Sequence, residues 1–180
     1  HITSLPSDSD NLFKLIAGLK KKRKSLKVSW NPGAHQLKNG YAHYKSFLKN
    51  VDVLMLNREE LELFSHMKSH RYNKATQKKI MDTCHEQMIS QESDSLSYVY
   101  DICKPAKKIL SLGVKTLVVT DGRRGAQLFE KDNHFYIPCG ENLPVATLGA
   151  GDAFCSGFIA GILYSNESHT ALQYATLNAG

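Results

Sequence analysis

Asp152 follows Gly149-Ala150-Gly151 and precedes a small-residue and aliphatic run, Ala153-Phe154-Cys155-Ser156-Gly157-Phe158-Ile159-Ala160-Gly161-Ile162-Leu163. A helix opening on Gly-Ala-Gly leaves its first backbone N–H groups unscreened by side chains, so anionic oxygens can approach its positive end. A carboxylate at the mouth of that helix can take the proton of a hydroxyl as it attacks phosphorus. By itself an Asp in a first turn is only a cap or a dipole partner. Two flanking glycines, each costing about 1 kcal/mol relative to Ala within an element, are more than a cap requires. The stretch has no third Gly for a dinucleotide fingerprint and no Gly-Lys-Ser/Thr for a P-loop. Gly157-x-x-x-Gly161 does not mark a membrane dimer helix, because the apolar run is far short of the ~20 residues that a span requires.

Two other clusters lie where strands give way to other elements. Asn57-Arg58-Glu59-Glu60 follows the apolar stretch 51–56, at the end of a strand where open parallel sheets bind ligands. The plain reading is a capping box, with Asn57 as N-cap and Glu60 at N3. Thr120-Asp121-Gly122-Arg123-Arg124-Gly125 follows the apolar strand 114–120, and its plain reading is a tight glycine turn leading into a β-hairpin over 126–138. His66, His70, Cys84 and His85 lack a closed zinc-ligand spacing and read as exposed polar residues.

The elements that must position these groups alternate as strand and helix. Residues 1–4 read as the tail of a strand. The next helix is capped by Ser7, Ser9 or Asp10, with Leu12, Leu15, Ile16 and Leu19 on one apolar face. Residues 26–30 form a strand ended by Asn31-Pro32-Gly33, a loop runs to Gly40, and 41–49 is a short helix. Leu61, Phe64 and Leu63 are the buried side of the helix after Asn57. Residues 67–97 turn polar, with a helical stretch at 75–89 and a serine-rich loop at 90–97. A helix over 98–112, kinked by Pro105 and stopped by Gly113, precedes the apolar strand. The helix after Asp152 is expected to be deeply buried. A final helix starts at Ser168.

With 42% hydrophobic and 22% charged residues the composition is that of a globular protein, and no leader or membrane span is read, so a cytoplasmic location is expected. Four cysteines without framework spacing suit reduced thiols. The formal charge of +6 centres on Lys20-Lys21-Lys22-Arg23-Lys24, which reads as solvated cations completing a helix dipole. Nucleic acid is not the expected partner, since no aromatic residues interleave with the run.

In their order, Asn57-x-x-Glu60, Thr120-x-Gly122-x-x-Gly125 and Gly149-Ala150-Gly151-Asp152 resemble the motifs of the ribokinase-like (PfkB-type) carbohydrate kinases. Asn31-Pro32 is similar to that family's Asp/Asn-Pro step. The resemblance implies an α/β, three-layer ribokinase-like fold with a largely parallel sheet flanked by helices. It makes residues 1–180 the C-terminal part of a single kinase domain, without the N-terminal substrate and lid portion, and 67–97 a surface insertion. It implies that Asp152 is the catalytic base and that the backbone of Gly149, Ala150 and Gly151 is the anion hole. By the same resemblance Asn57, Thr120, Gly122, Gly125 and Gly151 hold ATP, and Glu60 organises Mg2+ through water. The expected activity is transfer of the γ-phosphoryl of Mg-ATP to a hydroxyl of a sugar, sugar phosphate or nucleoside. The alternative is a catalytically silent nucleotide-binding or assembly module of the same fold. Ala146-Thr147-Leu148 lacks the carboxylate that members use for potassium, so no monovalent-cation site is implied. The family often supplies an Asn near adenine from the helix that ends here with Asn178, and no adenine contact is assigned. Homodimerisation is left open.

Overall fold

A computed structural model of the chain describes residues 1–71, 100–139 and 149–179. In chain order its elements are α1 (Asp10–Lys22), β1 (Ser29–Trp30), α2 (Ala34–His43), α3 (Lys45–Leu48), β2 (Val53–Asn57), α4 (Arg58–Ser65), β3 (His70–Arg71) and β4 (Tyr100–Asp101). There follow α5 (Cys103–Leu110), β5 (Thr116–Thr120), a 3-10 turn (Gly122–Arg124), β6 (Ala126–Phe129), β7 (His134–Ile137), α6 (Ala150–Ser165) and α7 (Ser168–Ala179). The fold is α/β, with a mostly parallel sheet of five strands flanked by helices. The chain divides into two compact units, His1–Ser69 with Ile102–Val119, and His70–Asp101 with Thr120–Gly180. The helix and loop expected at 75–97 lie outside the described residues.

In the first unit the strands run in the order β1-β2-β5, and β1 pairs parallel with β2 through Ser29↔Val53 and Trp30↔Leu54. The expected strand tail at 1–4 is a single parallel bridge from Ile2 to Trp30. Trp30, Leu54, Leu61, Phe64, Ile109 and Leu117 are fully buried. Leu61 and Phe64 thus form the inner side of α4 as the pattern predicts, whereas Leu63 is exposed.

Three helices of this unit depart from the sequence reading. On α1 the buried residue is Phe13, while Leu12, Leu15 and Leu19 are 38%, 59% and 44% exposed. Phe13 wins because it enters an aromatic cluster, with ring centroids 5.3 Å from Trp30, 5.3 Å from Tyr44 and 4.5 Å from Phe47. The expected loop to Gly40 is instead helical from Ala34, with Gly40 at φ 72° as a break inside α2. Buried Gln36 explains the early start: its Nε2 donates to the Leu5 carbonyl at 2.8 Å, and its Oε1 accepts from the Gly33 N–H at 3.2 Å. α5 begins at Cys103 rather than 98, which puts Pro105 in its first turn, where a missing N–H is not needed and no kink results.

Asp52, at the lead-in to β2, is buried and joins four segments. Its carboxylate accepts the Val28 N–H at 2.8 Å, and it is paired with Lys20 and, at 2.8 Å, with Lys115. Its backbone N–H donates to the Val28 carbonyl at 2.8 Å, and its carbonyl accepts the Thr116 N–H at 2.9 Å. Lys20 also donates to the Asn50 carbonyl at 2.7 Å, so this member of the basic run turns inward rather than into solvent. Lys21, Lys22, Arg23 and Lys24 remain exposed.

In the second unit β3 and β4 pair antiparallel through His70↔Asp101 and Arg71↔Tyr100. β6 and β7 form the predicted hairpin, in register from Ala126↔Ile137 to Phe129↔His134. α6 packs on α7 where side chains are smallest. A Cβ on Gly157 would lie 3.0 Å from Ala175 Cα, and one on Gly161 2.6 Å from Ala171 Cα. This close approach is the one that the Gly157 and Gly161 spacing predicts. Phe154 and Phe158 are buried on the same helix, but the deep burial expected of it does not extend to its end, where Leu163, read as a filler of volume, is 79% exposed. Among the described residues no helix is long and apolar enough to cross a membrane.

Burial raises the Asp52 pKa, but the hydrogen bonds from Lys115, Lys20 and the Val28 N–H outweigh it and hold the carboxyl below its usual range. The stabilisation is therefore present above the unfolded carboxyl pKa and is lost as pH falls through the lower folded value. We expect Asp52→Asn to cost about 3 kcal/mol at pH 7, since it leaves charge without its partner. Denaturant unfolding at pH 7 and pH 2 should show that the deficit shrinks in acid; a deficit independent of pH would contradict the electrostatic role.

Candidate functional site

The chemistry-bearing residues fall into three local groups, one in the first unit and two in the second. In the first unit, Asn57 ends β2 and is the N-cap of α4. Asn57 Oδ1 accepts the Glu60 N–H at 2.8 Å, and Glu60 Oε2 accepts the Asn57 N–H at 2.8 Å. The plain capping-box reading is therefore realised in full. Asn57 is exposed and Glu60 half-buried. Burial pushes the Glu60 carboxyl up, the Asn57 N–H pulls it down less strongly, and neighbouring Glu59 adds to the rise. A carboxylate held in this way gains from a nearby cation. One such group suits Mg2+, which keeps much of its water and is held by few carboxylates together with phosphates.

In the second unit, Thr120, Gly122 and Gly125 sit in one turn. The Asp121 N–H donates to the Gly125 carbonyl at 2.8 Å and the Gly125 N–H to the Gly122 carbonyl at 3.0 Å. Arg124 grips Asp121 with two bonds, Nε to Oδ2 at 2.7 Å and Nη2 to Oδ1 at 2.8 Å, and its carbonyl accepts Tyr136 Oη at 2.9 Å. The two glycines differ in purpose. Gly125, at φ 82°, is pressed against the Ile137 carbonyl and lies 2.8 Å from Pro138 Cα, measured from the place a Cβ would take, so the hairpin itself demands glycine. Gly122, at φ 56°, faces open space and leaves its backbone approachable.

The third group is the opening of α6. Gly149 is the N-cap in the left-handed region, φ 85° and ψ −8°, and Ala150, Gly151 and Asp152 form the first turn. Among the described residues, a Cβ at Gly149 or Gly151 would meet nothing within 4 Å. None of the described residues forces glycine here by packing: the left-handed Gly149 starts the helix, and Gly151 keeps the first N–H groups unshielded by a side chain. Asp152 is exposed beside them. Ser156 Oγ donates to the Asp152 carbonyl at 2.8 Å, and Asn178 Nδ2 donates to the Ala153 carbonyl at 2.7 Å. The sequence reading missed both bonds. A serine four residues after Asp152 was the available signal for the first, whereas the second needs the α6 and α7 contact. Thr147 and Leu148 lie outside the described residues.

An exposed carboxylate at the positive end of a helix, with two glycines opening the backbone, can bind a phosphoryl group and accept a proton in one place. Comparison with known proteins bears on that chemistry. The family model of the pfkB family carbohydrate kinases matches residues 2–180. An uncharacterized sugar kinase of Archaeoglobus fulgidus is 24% identical over 141 residues, which are 78% of this chain and 43% of that protein. The Arabidopsis thaliana ribokinase structure complexed with ribose and ATP superposes with a TM-score of 0.66 at 20% identity, over 99% of this chain and 48% of that one. The Vibrio cholerae fructokinase in its fructose, ADP and calcium ion bound form gives 0.60 at 19% identity, over 92% of this chain and 46% of that one. The chain thus spans about half the length of these relatives. The match along nearly the whole of its length makes the chain a member of the pfkB family of carbohydrate kinases.

Proposed function

We propose that this chain is the ATP-binding and catalytic portion of a kinase that transfers the γ-phosphoryl of Mg-ATP to a hydroxyl of a sugar, sugar phosphate or nucleoside. The observation that carries the reading is the opening of α6, where exposed Asp152 follows Gly149 and Gly151 and no described residue stands within 4 Å of a Cβ on either glycine. Family membership supports it, as do the ATP and ribose of the Arabidopsis ribokinase and the ADP and fructose of the Vibrio fructokinase. Asp152 takes the proton of the attacking hydroxyl. The N–H groups of Gly149, Ala150 and Gly151 stabilise charge developing on the phosphoryl oxygens, and being part of a helix they need no reorganisation to do so.

Asn57, Thr120, Gly122 and Gly125 hold ATP. The turn serves through backbone at open Gly122, while Gly125 keeps the hairpin in place. Glu60 would hold a hydrated Mg2+, whose charge would neutralise the transferring phosphates when bound. Residues 67–97 form an insertion, and acceptor selection belongs to parts of the kinase outside this chain.

Asp152→Asn in the intact protein is expected to lower kcat by about 10²- to 10⁴-fold while ATP affinity holds, measured as ATP consumption against a panel of sugars, sugar phosphates and nucleosides. Undiminished turnover in that variant would remove Asp152 from the mechanism. ATP binding without turnover for every acceptor would favour the silent nucleotide-binding module.

Glu60→Gln separates cap from metal, because Gln completes a capping box as well as Glu does. With the Glu60 pKa raised on folding, whatever stability it adds is present below its unfolded pKa and gone above its folded one. The variant should therefore be at least as stable at pH 7, yet require about tenfold more Mg2+ for half-maximal turnover. Asn57→Ala, by contrast, should lose about 1 kcal/mol of stability with the cap. A Mg2+ requirement unchanged in Glu60→Gln would leave Glu60 a cap alone.

A further inference from the structure

We infer that Ser156 and Asn178 are positioning residues that polarise the two peptide rows ending at the Ala150 and Gly151 N–H groups; the inference rests on the proposed anion hole at the opening of α6. Each row runs through the backbone hydrogen bonds of α6. Ser156 Oγ donates to the Asp152 carbonyl at 2.8 Å. That carbonyl shares its peptide with the Ala153 N–H, which donates to the Gly149 carbonyl at 2.9 Å. The Gly149 carbonyl in turn shares its peptide with the Ala150 N–H. In the second row Asn178 Nδ2 donates to the Ala153 carbonyl at 2.7 Å. The same peptide carries the Phe154 N–H, which by the i to i−4 pattern of α6 donates to the Ala150 carbonyl, and that peptide carries the Gly151 N–H.

Each carbonyl already receives the regular helical N–H from four residues on, so the side chains supply second donors. A donor placed on a carbonyl at one end of a hydrogen-bonded row makes the N–H at the other end a better donor. Both rows end at the helix mouth, on adjacent N–H groups beside Asp152. The two donors come from different helices. Ser156 lies one turn down α6, whereas Asn178 reaches across from α7. The crossing is possible because residue 157 is glycine: a Cβ there would lie 2.9 Å from Asn178 Cβ. Gly157 therefore serves the helix contact and the polarising bond together.

A serine bonded back to the carbonyl four residues earlier does not strengthen a helix, and it costs slightly. Its loss should leave stability unchanged or improved while weakening the anion hole, a divergence that a merely structural role would not produce. Asn178→Asp keeps the size of the side chain but replaces the donor with a carboxylate oxygen, and so serves as a control for packing.

The test uses the intact protein and reads amide proton shifts together with steady-state kinetics for ATP. Asn178→Ala and Asn178→Asp should move the Phe154 and Gly151 amide protons upfield, and Ser156→Ala those of Ala153 and Ala150. Each of the two alanine variants should lower kcat by about two- to fivefold, with the KM for ATP unchanged, and the double variant by about tenfold. Amides of the first turn that do not move would overturn the inference. So would a raised KM for ATP at constant kcat in Asn178→Ala, which would make Asn178 a direct nucleotide contact. If the wild-type protein turned over no acceptor, the kinase reading would fall, and the amide shifts would still judge the rows.

Discussion

The buried carboxylate of Asp52 is the constraint on which the first unit depends. Burial alone would expel its charge, and three donors from separate segments keep it ionised: Lys20 from the last turn of α1, the Val28 N–H ahead of β1, and Lys115 just before β5. The same residue carries two backbone bonds that align the starts of the strands, to the Val28 carbonyl and from the Thr116 N–H. A single residue, through backbone and side chain together, thus ties the strands at the end of the sheet opposite to Asn57. With the starts of the strands aligned, β2 delivers Asn57 to the N-terminus of α4 at a defined height, where the cap closes. The charge is structural, and its distance along β2 from Asn57 keeps it apart from any nucleotide chemistry.

A different constraint governs the second unit. α6 and α7 approach so closely that residues 157 and 161 must lack a Cβ, because Ala175 and Ala171 of α7 occupy that space. The gain is dispersion contact between backbones and a fixed alignment of the two helices. It is also what lets a side chain of α7 reach a carbonyl in the first turn of α6. Leu163 is exposed among the described residues, while the Tyr164 ring meets Tyr174 of α7 at 6.0 Å between centroids.

Local chemistry was legible in the sequence, and long-range choice was not. The capping box at Asn57 and Glu60, the hairpin after Gly125 and the small-residue stripe of α6 each depend on residues a few positions apart, and all are present. The buried side of α1 depends on distant residues. Its leucines have the better helical spacing, yet Phe13 is buried because Trp30, Tyr44 and Phe47 converge there. The start of α2 was missed for the same reason, since Gln36 is anchored to carbonyls some thirty residues away. Lys20 looked like its neighbours in a basic run, and only the position of Asp52 distinguishes it. Pro105 was legible as a disturbance but not as a first-turn residue, because the helix boundary that makes it harmless is set by β4 just ahead of it.

Stability and chemistry make compatible demands on the candidate residues because they use different atoms. The cap at α4 uses the acceptor end of the Asn57 amide, Oδ1, on the Glu60 N–H. The other end of that amide is a donor, which is the polarity a phosphate oxygen needs. Glu60 uses Oε2 on the Asn57 N–H, and burial raises the cost of its remaining charge, so a hydrated cation nearby would lower that cost. At the opening of α6 the division is sharper. Carbonyls of the first turn take donors from Ser156 and Asn178, while the N–H groups at the other ends of the same rows face outward over two glycines. A plain cap would satisfy those N–H groups with a side chain and would have no use for left-handed Gly149. Gly149 supplies no side chain to do so. The turn thus forgoes a local bond worth about 1 kcal/mol, which is intelligible where an anion is to take its place.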